Sequence, residues 1–131
     1  MHGPFETLLI ANRGEIAVRI LSAARALGLR TVAVYGTADR GALHVALADE
    51  AVWIGDEATG LPYLQIDRIL KAAAQTGAEA IHPGYGFLAE RPDFARAVID
   101  AGLVWVGPPP LAMTAMAEKD TAKARAEAIG V

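Results

Sequence analysis

The sequence of 131 residues contains no cysteine. This absence excludes a disulfide, a thiolate nucleophile and a cysteine-ligated zinc, and it predicts a reducing compartment, with the cytoplasm as the default. The sequence also lacks a large excess of charge of one sign. It has 12 basic and 15 acidic residues, and no lysine or arginine stripe is present. A nucleic-acid backbone would need such a stripe, so nucleic acid is not expected as a partner.

Long apolar runs are absent as well. Stretches such as Leu8 to Ala11 and Leu103 to Val106 are far shorter than the roughly 18 residues that a membrane-spanning helix requires. We therefore expect no membrane span, and the first residues lack the pattern of a secretory signal. Hydrophobic residues nevertheless make up 53% of the chain and charged residues only 21%, which predicts a packed core rather than disorder.

Short apolar runs alternate with segments of helical periodicity. The runs have the character of strands buried on both faces of a parallel sheet, and there are five of them. They are residues 8–11, 31–35, 51–54, 79–81 and 103–106. Apolar residues at helical spacing separate them, and Gly28, Gly77 and Gly102 follow the predicted helix ends. The pattern predicts a doubly wound α/β fold, with a parallel five-stranded sheet and helices on both faces.

The loop after the fourth predicted strand is the most informative one. Ligands of such sheets bind outside the carboxyl ends of the strands, and here Gly84 and Gly86 flank Tyr85 and permit left-handed backbone. Tyr85 could cover a flat ligand there, or it could be buried in a tight turn, and the spacing leaves both interpretations open. For His82, which has no second ligand at a metal spacing, we expect a structural hydrogen bond.

The loop after the first predicted strand has one glycine instead of the G-x-G-x-x-G pattern, which disfavours a dinucleotide site. We expect Asn12 to cap the following helix and Glu15 to complement its dipole. The alternative is an anion held by Arg13 or by the helix N-terminus. Lys119 precedes another predicted helix and could neutralise a nucleotide phosphate, although an isolated lysine is more often solvated.

Five segments together form a more specific pattern. They are LIANRGEIA at 9–17, ADR at 38–40, ADEA at 48–51, IHPGYGFL at 81–88 and MAEK at 116–119. In this order, from about Glu6 to Val131, they resemble the N-terminal domain of biotin carboxylase. That enzyme occurs alone or as the leading part of acyl-CoA, pyruvate and urea carboxylases.

The resemblance implies a ligase that uses ATP and Mg²⁺ to activate bicarbonate as carboxyphosphate and then carboxylates carrier-bound biotin. It implies a Rossmann-like pre-ATP-grasp domain over residues 1–115 and the start of an ATP-grasp region over residues 116–131. The implied partners are a biotin carboxyl carrier protein or domain, a carboxyltransferase component and the remainder of the biotin carboxylase. A homodimer is left open, and so is the final acceptor of the carboxyl group.

The resemblance also assigns binding residues. It carries Gly84, Tyr85 and Gly86 to the biotin and bicarbonate side of the active site, and Lys119 to an ATP phosphate. The chain departs from the family pattern near both places. At the segment before Lys119, Ala117 and Glu118 replace a glycine and an aspartate, and at the exit of the tyrosine loop Ala89 and Arg91 replace a serine and an asparagine.

The chain by itself is predicted to be catalytically inactive. A glycine-rich lid, paired carboxylates for Mg²⁺ and an arginine set for bicarbonate do not follow Val131 in this sequence. Phosphoryl transfer needs several positioned cations, which a single lysine does not supply. We expect no catalytic residue, no metal ligand and no tightly held cofactor within the 131 residues. The alternative function is a stand-alone α/β binding or assembly module without catalysis.

Overall fold

The computed structural model describes residues 5–107, which form five strands and four α-helices. The strands are β1 (Thr7–Ile10), β2 (Arg30–Tyr35), β3 (Glu50–Trp53), β4 (Ala80–His82) and β5 (Val104–Trp105). The helices are α1 (Gly14–Ala26), α2 (Leu43–Leu47), α3 (Ile66–Thr76) and α4 (Pro92–Asp100). Short 3-10 turns span Thr37–Asp39, Glu57–Thr59, Pro62–Leu64 and Phe87–Glu90. Within this range each predicted strand and helix is confirmed, with ends displaced by one or two residues.

All strand pairs are parallel, and the strands lie side by side in the order β3-β2-β1-β4-β5. Leu9 in the central strand pairs with Val32 of β2 on one side and with Ile81 of β4 on the other. The chain therefore builds the sheet outward from β1 in one direction and then returns to build it in the other. In such an arrangement the crevice between β1 and β4 is the topological switch point.

Helices cover the sheet on both faces. Successive side chains of a strand point to opposite faces, so Leu9 and Ile81 pack with α3 and α4, whereas Leu8 and Ile10 pack with α1. The larger core cluster also contains the edge-to-face pair of Phe94 and Trp105, whose ring centroids are 5.5 Å apart. The predicted doubly wound α/β fold is confirmed. No helix within residues 5–107 has the length and hydropathy to cross a membrane.

The parallel strands give the sheet two chemically different edges. We call the edge at which the strands end the carboxyl rim and the edge at which they begin the amino rim. The carboxyl rim comprises the loops 11–13, 36–42, 54–65, 83–91 and 106–107, and the amino rim comprises the segments 5–6, 27–29, 48–49, 77–79 and 101–103 with the first two residues of each strand. Since both β1 and β4 end at the carboxyl rim, the fold brings the two loops singled out in the sequence together at the switch point.

Candidate functional site

Asn12 links the loops that follow β1 and β4. Its side chain is fully buried, and its Nδ2 donates hydrogen bonds to the carbonyl oxygens of Pro83 at 2.9 Å and Tyr85 at 2.8 Å. Its Oδ1 accepts a hydrogen bond from the backbone N–H of Arg13 at 2.8 Å. The amide therefore closes the crevice at the switch point with two hydrogen bonds, and the third fixes its own orientation.

The prediction that Asn12 caps α1 is wrong. The N-cap position is Arg13, and no side chain there accepts a hydrogen bond from the helix. The physical reason is that the Asn12 amide reaches across the sheet, where two carbonyl groups accept both of its N–H donors. Glu15 does lie in the first turn of α1, where a carboxylate complements the helix dipole.

The backbone of the tyrosine loop is left-handed at both of its glycines, as predicted. The φ angle is +70° at Gly84 and +71° at Gly86. A Cβ atom at Gly84 would lie 2.7 Å from Asn12 Nδ2 and 2.8 Å from Asn12 Cβ, well inside contact distance. Gly84 thus permits both the left-handed turn and the close approach of the Asn12 side chain.

His82 has the structural hydrogen bond that the sequence predicted. Its Nδ1 accepts from the backbone N–H of Gly84 at 3.0 Å. Burial lowers the pKa of His82, which favours the neutral ring and keeps the Nδ1 lone pair available to accept. The imidazole therefore holds the start of the loop in its turn.

Tyr85 projects from the carboxyl rim with 77% of its surface exposed. The interpretation of Tyr85 as a buried packing residue is therefore wrong, and the interpretation as an accessible ring at the rim agrees with the structure. Its backbone is held from the inner side by Asn12, and the loop continues into Phe87, a non-glycine residue with a φ of +50°. The Phe87 ring packs against Tyr63, with centroids 5.6 Å apart.

A buried carboxylate joins two other loops of the same rim. Asp39 accepts hydrogen bonds from Arg13 Nε at 2.6 Å and Nη2 at 2.7 Å, and its Oδ2 also accepts from the Tyr63 hydroxyl at 2.7 Å. The Arg13 guanidinium lowers the pKa of Asp39 to about 2. Burial, together with the hydrogen bond to Asp39, raises the pKa of Tyr63 above its ordinary value. Arg13 is thus engaged by a carboxylate of the protein, which disfavours the alternative of Arg13 as an anion ligand.

Sequence reasoning missed Asp39, Tyr63 and His44. Asp39 lies within one of the segments that carry the resemblance, but its partners come from two other loops and no local pattern identifies them. His44 is buried in α2, with Nε2 3.1 Å from the Val34 carbonyl oxygen. Its Nδ1 has no hydrogen-bond partner among the described residues. The strand order, which brings β1 and β2 side by side, is the information that would have grouped Arg13 with Asp39.

An open groove of about 610 Å³ runs along the α1 face beside the tyrosine loop. Its walls include Ile16, Ile20, Leu27, His82, Tyr85 and Val106. The groove is predominantly apolar, and Leu27 is 78% exposed at its margin. Within residues 5–107, no group of three or more histidine, aspartate and glutamate side chains could hold a metal ion.

The remaining predicted positions divide into two groups. Lys119, the substitutions Ala117 and Glu118 and the domain boundary at 115/116 lie outside the described residues. The other two departures from the family pattern lie at the exit of the tyrosine loop. Ala89 donates its backbone N–H to the Gly86 carbonyl at 2.9 Å, and Arg91 forms an exposed ion pair with Asp93 at 2.7 Å.

Comparison with known proteins adds an independent line of support. Residues 4–113 match the family model described as biotin carboxylase, N-terminal domain. The chain is 56% identical to the biotin-dependent acyl-coenzyme A carboxylase alpha3 subunit of Mycobacterium leprae, over 92% of this chain and 21% of that protein. It is 51% identical to the biotin carboxylase of a Nostoc species, over 97% of this chain and 28% of that protein.

Solved structures agree with these relatives. The biotin carboxylase of Campylobacter jejuni in complex with β-γ-ATP matches with a TM-score of 0.85 and 38% identity, over 97% of this chain and 28% of that chain. The biotin carboxylase domain dimer of the Hydrogenobacter thermophilus 2-oxoglutarate carboxylase, with MgADP, ADP and bicarbonate, matches with a TM-score of 0.78 and 44% identity. That match covers 86% of this chain and 25% of that chain. The chain therefore spans less than a third of the length of these relatives.

Proposed function

The chain belongs to the biotin carboxylase N-terminal domain family, and on that premise we propose that it is the first domain of a biotin carboxylase. The proposed activity is the ATP-dependent carboxylation of carrier-bound biotin with bicarbonate. The observation that supports it most strongly is the tyrosine loop, in which an exposed Tyr85 lies between two left-handed glycines at the switch point of the sheet. Family membership favours this function over a stand-alone binding module.

We assign the tyrosine loop to the biotin and bicarbonate side of the active site. The ring of Tyr85 is exposed and can pack against a flat group, and its hydroxyl can donate or accept a hydrogen bond. On the Gly86 side of the ring a Cβ atom would meet nothing within 4 Å, so a ligand could approach the backbone there closely, whereas Gly84 is covered by the Asn12 side chain. In this proposal the loop orients the substrate, whereas other residues hold the ATP phosphates.

The ATP side of the proposal rests on Lys119, whose ammonium is assigned to a nucleotide phosphate. ATP and Mg²⁺ supply the phosphoryl chemistry when bound, and that chemistry needs several cations around the phosphates. Residues 5–107 contain no group of three or more histidine, aspartate and glutamate side chains that could hold a metal ion, and we propose that the Mg²⁺ ligands lie outside these residues. The chain alone is therefore proposed to be inactive.

The proposed partners follow from the relatives. One relative carries the name of a subunit of an acyl-coenzyme A carboxylase, which supports a carboxyltransferase component and a biotin carrier as partners. A structure of another relative is described as a domain dimer, which supports a homodimer. We propose the cytoplasm as the compartment, consistent with a chain that has no cysteine.

A chimera tests the proposed function. Residues 1–131 replace the matching first segment of the Nostoc biotin carboxylase, and phosphate release is measured with ATP, Mg²⁺, bicarbonate and free biotin. We expect biotin-dependent turnover within about tenfold of the parent enzyme, since the chain and its relative share the whole domain. The 131-residue chain alone should release phosphate at the rate of a blank without protein.

Two variants of the chimera isolate the tyrosine loop. Tyr85→Ala removes the ring, and Tyr85→Phe removes only the hydroxyl. If the ring positions biotin, Tyr85→Ala should lose about tenfold or more in turnover and Tyr85→Phe should lose less. A folded chimera without biotin-dependent phosphate release would contradict the proposal, and so would turnover by the chain alone.

A further inference from the structure

We propose that Asn12 is a positioning residue for Tyr85: its buried amide closes the crevice between β1 and β4 and thereby sets the conformation of the loop that presents the tyrosine ring. The inference concerns a residue that touches no substrate and acts only through the loop. Its consequence for turnover rests on the proposed function, whereas its consequence for the loop does not.

The first argument is topological. At the switch point the chain leaves β1 toward α1 on one face and leaves β4 toward α4 on the other face. The two loops therefore diverge at the place where a doubly wound sheet ordinarily accepts a ligand. The backbone ladder between them ends with the hydrogen bond from the Ala11 N–H to the His82 carbonyl. Beyond that bond, the Asn12 side chain continues the connection to Pro83 and Tyr85.

The second argument is the fit of the amide group to its surroundings. Both N–H donors of Nδ2 meet carbonyl oxygens, and Oδ1 meets the Arg13 N–H, so the side chain has a single orientation that satisfies it. A carboxylate of the same shape would place an oxygen against two carbonyl oxygens. A shorter apolar side chain would leave Asn12's partners in the tyrosine loop without their hydrogen bonds, which is costly for buried groups.

The third argument is that the loop is shaped around the amide. Gly84 packs so closely on Asn12 that even a Cβ atom would lie within 2.8 Å of the asparagine Cβ. The next residue of the chain, Arg13, is in turn held by Asp39, which also accepts from Tyr63, and Tyr63 packs on Phe87 at the far end of the loop. Asn12 thus holds the middle of the loop while a second set of contacts holds its exit.

Proteolysis of the 131-residue chain tests the positioning role directly. Chymotrypsin cleaves after tyrosine, and the rate of cleavage after Tyr85 under native conditions can be followed by mass spectrometry. Cleavage needs local opening of the loop, so it reports the free energy of that opening. In Asn12→Ala and Asn12→Asp we expect cleavage after Tyr85 to accelerate by about tenfold or more, because two hydrogen bonds to the loop are lost.

The matched control lies at the opposite rim. Thr31 is also buried, and its hydroxyl donates to Asp49 Oδ2 at 2.9 Å and accepts from the Asp49 N–H at 3.2 Å, so Thr31→Val removes two partly buried hydrogen bonds without touching the loop. This variant should change cleavage after Tyr85 by less than about twofold. Equal acceleration in Thr31→Val and Asn12→Ala would overturn the proposal, because cleavage would then follow global stability. If Asn12→Ala does not fold, Asn12→Asp and Asn12→Ser provide the same comparison, and unchanged cleavage in the folded variants overturns it.

The chimera with the Nostoc enzyme tests the consequence for function. Asn12→Asp should lower biotin-dependent phosphate release by about tenfold while the KM for ATP changes by less than about twofold, since only the biotin side is displaced. A purely structural defect would lower the amount of active enzyme and leave the KM values unchanged, so we also expect the KM for free biotin to rise. Turnover and both KM values equal to those of the unsubstituted chimera would overturn the functional part. An inactive unsubstituted chimera would contradict the proposed function, whereas the proteolysis would still decide the role of Asn12 in the loop.

Discussion

The two rims of the sheet use polar side chains in different ways. At the amino rim, Arg30 and Glu50 form an ion pair at 2.7 Å with both side chains about 40% exposed, and Glu79 accepts from the backbone N–H groups of Glu6 and Thr7. At the carboxyl rim, the polar groups of Asn12 and Asp39 are buried and fully engaged with the protein.

The free-energy cost of losing a hydrogen-bond or ion-pair partner differs between the two rims. An exposed ion pair contributes little because water replaces the partner at small cost. A buried amide or carboxylate that loses its partners is left without compensation in a medium of low dielectric constant. Apart from the buried Thr31, the polar groups of the amino rim join strand ends at the surface, whereas the buried groups of the carboxyl rim fix the shape of one loop. Substitutions at the two rims should therefore differ in size and in kind.

The largest expected effect is at the buried carboxylate. Asp39→Ala removes the acceptor of Arg13 and Tyr63, and we expect it to lower the free energy of unfolding by about 2–3 kcal/mol. This loss is smaller than is usual for removing one partner of a buried ion pair, because the Arg13 side chain is 47% exposed and water can hydrate it. Urea unfolding followed by circular dichroism measures the difference. A loss below about 0.5 kcal/mol would mean that the buried carboxylate contributes no more to the free energy of unfolding than an exposed ion pair does.

Substitutions at two glycines with the same φ angle distinguish the cost of backbone strain from the cost of side-chain packing. Gly77 at the amino rim and Gly84 at the carboxyl rim both have a φ of +70°, but only at Gly84 would a Cβ atom meet another group. Gly77→Ala should cost about 1 kcal/mol from the left-handed backbone alone. Gly84→Ala should cost about 1–2 kcal/mol more, because the Asn12 side chain must move. If urea unfolding gave equal losses of free energy of unfolding for the two variants, the Asn12 side chain would move at no energetic cost.

Low pH should lower the free energy of unfolding, because it protonates Asp39 at the carboxyl rim. Its pKa in the folded chain is about 2, below the ordinary value of 3.8, so folding favours the ionised form. The associated stability is present above pH 4 and is lost as the pH falls toward 2, with a magnitude on the order of 2 kcal/mol. Asp39→Asn should remove this part of the pH dependence of the free energy of unfolding. An unchanged acid profile in Asp39→Asn would contradict the assignment.

The smallest effect is expected at the exposed ion pair. Glu50→Gln removes one charge from the pair with Arg30, and the free energy of unfolding should change by less than about 0.5 kcal/mol. The remaining difference should shrink further when the salt concentration rises, because salt screens exposed charges. A loss similar to that of Asp39→Ala in the same urea titration would remove the distinction between the rims.

Local sequence patterns were sufficient to predict the fold. Alternating apolar runs and helical periodicity predicted β1 to β5 and α1 to α4, because each element buries a face that its own residues reveal. The ends moved by one or two residues, since hydrogen bonds to neighbouring elements decide where an element stops. The 3-10 turns were not predicted, because a few residues carry too little periodicity.

The candidate site was predictable only in part. The flanking glycines identified the tyrosine loop, since a left-handed backbone requires glycine wherever the chain folds. The role of Asn12 was predicted wrongly because its partners are 71 and 73 residues away, and a local interpretation offers only the helix that follows. The group of Asp39, Arg13 and Tyr63 was missed for the same reason, since Arg13 meets Asp39 only after β1 and β2 pair, and Tyr63 follows β3, which pairs with β2.

Native-state hydrogen exchange at the Gly84 amide tests the central claim most directly. That N–H lies in the loop and donates to His82, so its exchange rate reports the conformation that Asn12 is proposed to hold. In Asn12→Ala the Gly84 amide should exchange about tenfold faster or more, while the amides of Leu9 and Val34 in the sheet keep their rates after correction for global stability. Uniform acceleration of all three amides, or an unchanged rate at Gly84, would contradict the claim that the carboxyl rim shapes the tyrosine loop.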